Sequence, residues 1–225
     1  MSALDRAVLL TCAAAMAVGI AWQPIVDGLD RAHDVIAGGP AEPDDGAGPA
    51  VPRPAAEDVA SLDDDATEDL LGLCLELPDG ADPDLHPVTD EVAVAATSRS
   101  VGAGMVVWTG PVPAVGDVLG ACVGMERAGE WRLANRSHRE DPGPGAAQVT
   151  WGQFASRHGS AAGLVGRVPD DVVEVFVTLD DGRVLRQETD GVVAVVWSPV
   201  VAPVRVVTVD RDGEVTFDGP VTDYG

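Results

Sequence analysis

The sequence predicts a mainly β protein: an N-terminal apolar helix, a disordered acidic and proline-rich linker, and then an antiparallel β region ending in a five-strand meander. Three observations carry this expectation. Short valine-rich segments recur at strand length from Glu91 onward, and Asp-Gly pairs stand between several of them. Only one stretch, Ala7 to Trp22, has an unbroken apolar run of 16 residues. Between the two lies chain with almost nothing to bury.

The 225 residues divide by composition into 1–36, an N-terminal membrane anchor or signal segment, 37–68, the linker, 69–150, a β region, and 151–225, a C-terminal antiparallel β module. The apolar run would reach about 24 Å as a helix, slightly short of the roughly 30 Å hydrocarbon layer. The amine and Arg6 precede it, and Asp27, Asp30 and Asp34 follow. By the positive-inside rule the N-terminus stays cytoplasmic and the remainder is exported. The expected location is therefore the cell membrane, single-pass, with the C-terminal part outside. The alternative is a secreted chain, because Ala13 to Ala17 contains the small-x-small pattern of a signal peptidase site. Residues 23–37 can add a helical turn or two.

In the linker, Asp44, Asp45, Glu57, Asp58 and Asp63 to Asp65 repel one another, and prolines at 40, 43, 49, 52 and 54 stiffen the chain. A calcium site at Asp63 to Asp65 lacks the alternating oxygen spacing that wraps a single ion. With Cys12 in the apolar run, Cys74 and Cys122 are an even pair in an oxidising compartment and are expected to form a disulfide. On the chain-entropy model the closed loop of about 49 residues would stabilise the fold by roughly 4 kcal/mol.

The segment "TEDLLGLCLEL" is ambiguous. Thr67 and the acids after it suggest a helix start, whereas Leu73, Leu75 and Leu77 alternate like a strand. Beyond it, "EVAVAAT", "GMVVWTG", "VLGACVGM" and "EWRLAN" read as one β layer, and Ser137 to Ala147 is a polar break. In the last module Val173, Val175, Val177 and Leu179 fall on one strand face and Glu174, Phe176 and Thr178 on the other. Asp181-Gly182, Asp190-Gly191 and Asp212-Gly213 then read as hairpin turns, because Gly accepts positive φ freely and Asp tolerates it. The carboxylates Asp180, Asp181, Glu188 and Asp190 are thus punctuation rather than a site, and "VVAVVW" becomes the middle strand of the meander.

Little in the sequence assembles chemistry. His33, His86, His138 and His158 have no spacing that places two ligands together, so no metal, cofactor-binding or catalytic residue is assigned and no cofactor is expected. Arg127, Arg132, Arg136 and Arg139 make a locally basic stretch beside Trp131, but Glu126, Glu130, Glu140 and Asp141 nearly neutralise it. Trp108, Trp131, Trp151 and Trp197 are expected in the core. The net charge of -23, with all 14 basic residues Arg, argues against a nucleic-acid partner, which needs cations to displace counterions.

At "GRVPDDVVEVFVTLDDGRVLRQETDGVVAVVWSP" the chain resembles uncharacterised exported or membrane-anchored β-domain proteins of high-GC Gram-positive bacteria. The shared pattern falls on Gly166, Arg167 and Val168, on Asp181, Gly182 and Arg183, and on Trp197, with Cys122 as the second cysteine of the β region. Val196 stands where that pattern has a second tryptophan. The resemblance spans roughly residues 70–217 and implies export and a β topology, without an activity. The functional expectation is a non-enzymatic, membrane-tethered β-sandwich protein that contacts an envelope protein or glycan. The alternative is a small exported hydrolase assembled from distant residues, such as His138 or His158 with Asp117.

Overall fold

The β character of the chain follows from its turns and its valines, and the computed structural model arranges thirteen strands in three sheets among the described residues. It describes residues 33–37 as backbone alone, and residues 55–77 and 80–221 in full. All lie in one of the two units into which the chain divides, His33–Gly225. The apolar run and most of the linker lie outside the described residues.

The first sheet is a meander of β3 (Ala93–Ser100), β4 (Ala103–Val112), β5 (Gly116–Arg127) and β6 (Glu130–Glu140). The second runs β1 (His33–Ala37), β7 (Gln148–Ser156), β8 (Gly159–Arg167), β11 (Val192–Trp197). The third runs β13 (Val215–Pro220), β12 (Pro203–Asp210), β9 (Val172–Leu179), β10 (Val184–Glu188), β2 (Glu57–Asp58). Every pairing is antiparallel except β2 with β10. The boundary expected after residue 150 falls inside β7, and residues 33–37 form a strand beside β7 rather than the end of a helix.

The sheets are stacked with the second in the middle. Val149, Trp151, Leu164, Val193, Val195 and Trp197 on one of its faces pack with Val175, Val177, Leu179, Leu185 and Val206 of the third sheet. Ala161, Val192, Ala194 and Val196 on its other face pack with Met105, Val107, Leu119, Val123 and Met125 of the meander. This explains "VVAVVW". All six residues are buried, and a strand covered on both faces reads as a continuous apolar run instead of alternating. The expected five-strand meander is corrected accordingly: β11 leaves its sequence neighbours β10 and β12 and pairs with β8, Val192 opposite Arg167 through Trp197 opposite Ala162. Gly163 on β8 permits the close stacking, since a Cβ there would run into the Met105 methyl.

A helix, α1 (Asp64–Leu75), covers the outer face of the meander. The ambiguity of that segment resolves by spacing: Ala66, Leu70 and Cys74 recur every four residues and are the buried side chains, while Leu77 is exposed. The N-cap is Asp63, not Thr67; its carboxylate accepts from the Ala66 N–H at 2.8 Å, and Asp64 and Asp65 fill the first turn. The run of three aspartates is thus a helix start, with negative charge placed at the positive end of the dipole. Residues 55–68 of the expected linker accordingly belong to the fold. Val59 packs against the core, Leu62 is buried, and Ala60 bridges Arg99. A composition average over the prolines hid these few apolar residues. Cys74 and Cys122 lie at disulfide distance, Cα atoms 5.9 Å apart, and tie α1 to β5.

Candidate functional site

Three sheet edges converge on one groove of about 470 Å³. One wall is the strap Glu57 to Ala60, held at both ends by backbone: the Val59 N–H donates to the Arg186 carbonyl at 2.8 Å, and the Arg99 N–H donates to the Ala60 carbonyl at 2.7 Å. The strap therefore links β10 of the third sheet to β3 of the meander. The other wall is the β3–β4 hairpin, Arg99 to Gly102, and Leu185, Val196 and Trp197 add an apolar component to the lining. A floor of this kind beneath charged groups gives burial for a ligand's body and polar anchors for its orientation.

The charges around the groove are paired unevenly. Arg99 donates to Glu126 at 2.7 Å and to Asp63 at 3.3 Å, and its guanidinium lies 5.8 Å from the centre of the Trp131 ring. Arg183 donates from Nε to Asp181 at 2.8 Å, but its Nη2 is buried without a hydrogen-bond partner in the structure. Behind the strap, Arg186 on β10 binds Glu174, Asp58 and Glu188 together. The hydrogen bonds it donates to Glu174 and then to Asp58 raise its pKa further above the ordinary arginine value. The rim of the groove thus carries both signs, with Glu57, Asp58 and Glu126 beside Arg99 and Arg183.

The open edge of β11 nearby is closed by side chains. The buried amide of Gln187 accepts the Ala194 N–H at 2.8 Å, and the Thr189 hydroxyl donates to the Val192 carbonyl at 2.8 Å. Exposed edges invite pairing with other chains, and these two residues of the β10 end remove part of that hazard.

The expected turns are present. Gly182, Gly191 and Gly213 have φ of +87°, +82° and +82°. Asp181 accepts from the Arg183 N–H at 3.1 Å, and Asp210 accepts from Asp212 and Glu214. No group of three or more metal-ligating side chains occurs among the described residues. His138 packs tilted against Trp108, ring centres 6.5 Å apart. Burial, then His86 and Arg136, hold its pKa below the ordinary histidine value. His86 carries its Nδ1 3.2 Å from the Pro87 carbonyl, while its Nε2 is buried without a partner. His158 accepts from Arg157 at 3.0 Å. No hydrogen bond joins His138 or His158 to Asp117 among the described residues; the side chain of His33 is not described. All four strand tryptophans are buried as expected. Trp197 also donates to the Val201 carbonyl at 2.9 Å. Sequence reasoning missed the groove, because its parts come from residues 57–60, 99–102, 126, 183–185 and 196–197 and only pairing across sheets joins them. Comparison with known proteins returned no match to a family model, to a curated protein or to a solved structure.

Proposed function

We propose that the chain is an exported binding protein, held to the membrane by its N-terminal apolar helix, whose β body presents the groove to a protein or glycan of the envelope. The observation that carries the reading is the pairing of Cys74 with Cys122, which buries a cross-link between α1 and β5 of a kind that persists in oxidising compartments. The charge order around Ala7 to Trp22 and the resemblance at residues 166–199 support export independently. The groove supports binding: it combines an apolar component with two arginines and the carboxylates of Glu57, Asp58 and Glu126. A net charge of -23 disfavours nucleic acid as the ligand.

The test is protease added to intact cells, followed by fractionation. We expect full-length chain in the membrane fraction before treatment, and cleavage between residues 38 and 54, with the β body reaching the medium once denaturant separates β1 from β7. A chain protected from protease until the cells are lysed would contradict export. A freely secreted chain beginning near Val18 would replace the tether by a cleaved signal segment.

A further inference from the structure

Side chains close the free edge of β11 at two positions and leave a third open. Successive residues of a strand turn their backbone groups to opposite sides, and β11 shows both directions. The Gly191 carbonyl accepts from the Val168 N–H on the β8 side at 3.1 Å, whereas the Ala194 N–H and the Val192 carbonyl turn away from β8 to Gln187 and Thr189. Val196 is the next residue with the orientation of Val192 and Ala194. Its N–H and carbonyl therefore point away from β8, on the side where Val196 lines the groove. Neither group has a hydrogen-bond partner among the described residues. Buried backbone donors and acceptors are nearly always paired, and Val196 is only 2% exposed.

The surroundings indicate what would pair with it. Both neighbouring strands already bond to extended backbone, since the Arg186 carbonyl of β10 accepts from Val59 and the Arg99 N–H of β3 donates to Ala60. An extended peptide offers the same alternation of carbonyl and N–H, and a groove of about 470 Å³ takes a short stretch of one. The strap is a short wall: only Glu57 and Asp58 pair with β10, in parallel, and both are exposed. Charge narrows the choice further. Asp58 is bound to Arg186, Glu126 to Arg99 and Arg183 to Asp181, while Glu57 has no ion pair among the described residues. The groove is thus left with one uncompensated carboxylate.

We propose that an extended segment of a partner protein enters the groove and adds to the edge of β11, one residue exchanging both backbone hydrogen bonds with Val196 and a neighbouring lysine or arginine meeting Glu57. The proposal rests on the groove as the binding surface named above and selects a polypeptide over a glycan. Strand addition of this kind draws affinity from backbone bonds and selectivity from the side chains beside them.

The experiment is amide hydrogen exchange, resolved to single residues, on the full-length chain in detergent micelles. In the free chain the Val196 amide should exchange faster than those of Val193 and Val195, which bond to β8. Equal protection of all three means that the edge is already closed and overturns the proposal. The probe is the capped peptide acetyl-Ala-Val-Arg-Val-Ala-amide, which at about ten times its Kd should slow the Val196 amide about tenfold. An analogue N-methylated at every residue lacks the donors and should give no protection; protection equal to that of the parent peptide overturns strand addition. Glu57→Gln should weaken the arginine peptide by up to about 5-fold and leave its glutamine counterpart unchanged; an equal effect on both overturns the cationic partner. An N-acetylglucosamine tetramer that protects Val196 where the peptide does not overturns strand addition and keeps the groove as a binding surface. Absence of protection by either probe overturns both.

Discussion

The half-buried pair of Asp141 and Arg167 shows how single residues hold the loop after β6 against β8. Arg167 donates to both carboxylate oxygens, and the Gly143 N–H adds a third bond at 3.0 Å. The hydrogen bond from Arg167 is the largest of the influences that lower the Asp141 pKa, with burial opposing it. A depressed carboxylate stabilises the fold above its unfolded pKa and loses that contribution as pH falls through its folded value. We therefore expect Asp141→Asn to cost about 1–3 kcal/mol at neutral pH. In urea titrations the gap to wild type should close below about pH 3, beneath the ordinary aspartate range; a gap unchanged at that pH would show that the charge is irrelevant. At Asp181-Gly182 the order of sensitivity should be the reverse of that in a metal site. Asn can accept the Arg183 N–H as Asp181 does, so Asp181→Asn should be mild. Gly182 has φ +87° and nothing within 4 Å of its added Cβ, so Gly182→Val should cost roughly 1–2 kcal/mol or more through backbone strain alone. Thermal unfolding with calcium and with chelator decides between the two: a calcium-dependent rise in Tm that Asp181→Asn abolishes would make the turn an ion site.

Elements divide into those whose identity is local and those whose identity depends on a distant partner. The strands around Asp-Gly turns were legible because both alternation and positive φ are written in adjacent residues. For α1 the local evidence was divided; Leu73, Leu75 and Leu77 alternate, and only packing against Trp131 and Val106 selects the four-residue spacing. Its C-terminus has no basic residue of its own, and Arg136 of β6 supplies the cation, donating to the carbonyls of Cys74 at 3.2 Å and Glu76 at 2.6 Å. Arg136→Met should therefore lower stability by about 1–2 kcal/mol, and its effect on α1 should grow once the disulfide is reduced. Circular dichroism of reduced and oxidised variants measures this, and equal loss in both states would separate the arginine from the helix. At the edge of β11, Gln187→Leu would leave the buried Ala194 N–H without an acceptor, at a cost of about 1–3 kcal/mol. An unchanged denaturation midpoint would mean that water reaches this edge.

On the scale of the whole molecule, the order of layers was the least legible feature. An unbroken run such as "VVAVVW" states that both faces of its strand are covered, but periodicity names no partner, so β11 was placed beside its sequence neighbours. The groove suffered from the same limit, since its lining is gathered from segments as far apart as Glu57 and Trp197. The cysteine pair was legible because, with Cys12 in the apolar run, the count leaves one pairing. That pairing locks α1 onto the meander, and the proposed export rests on it. The most direct measurement is the intact mass of the chain taken from the membrane fraction, denatured and alkylated without reductant. We expect the full-length mass with a single adduct, on Cys12, because Cys74 and Cys122 are joined. Three adducts would place the protein in a reducing compartment and contradict the account.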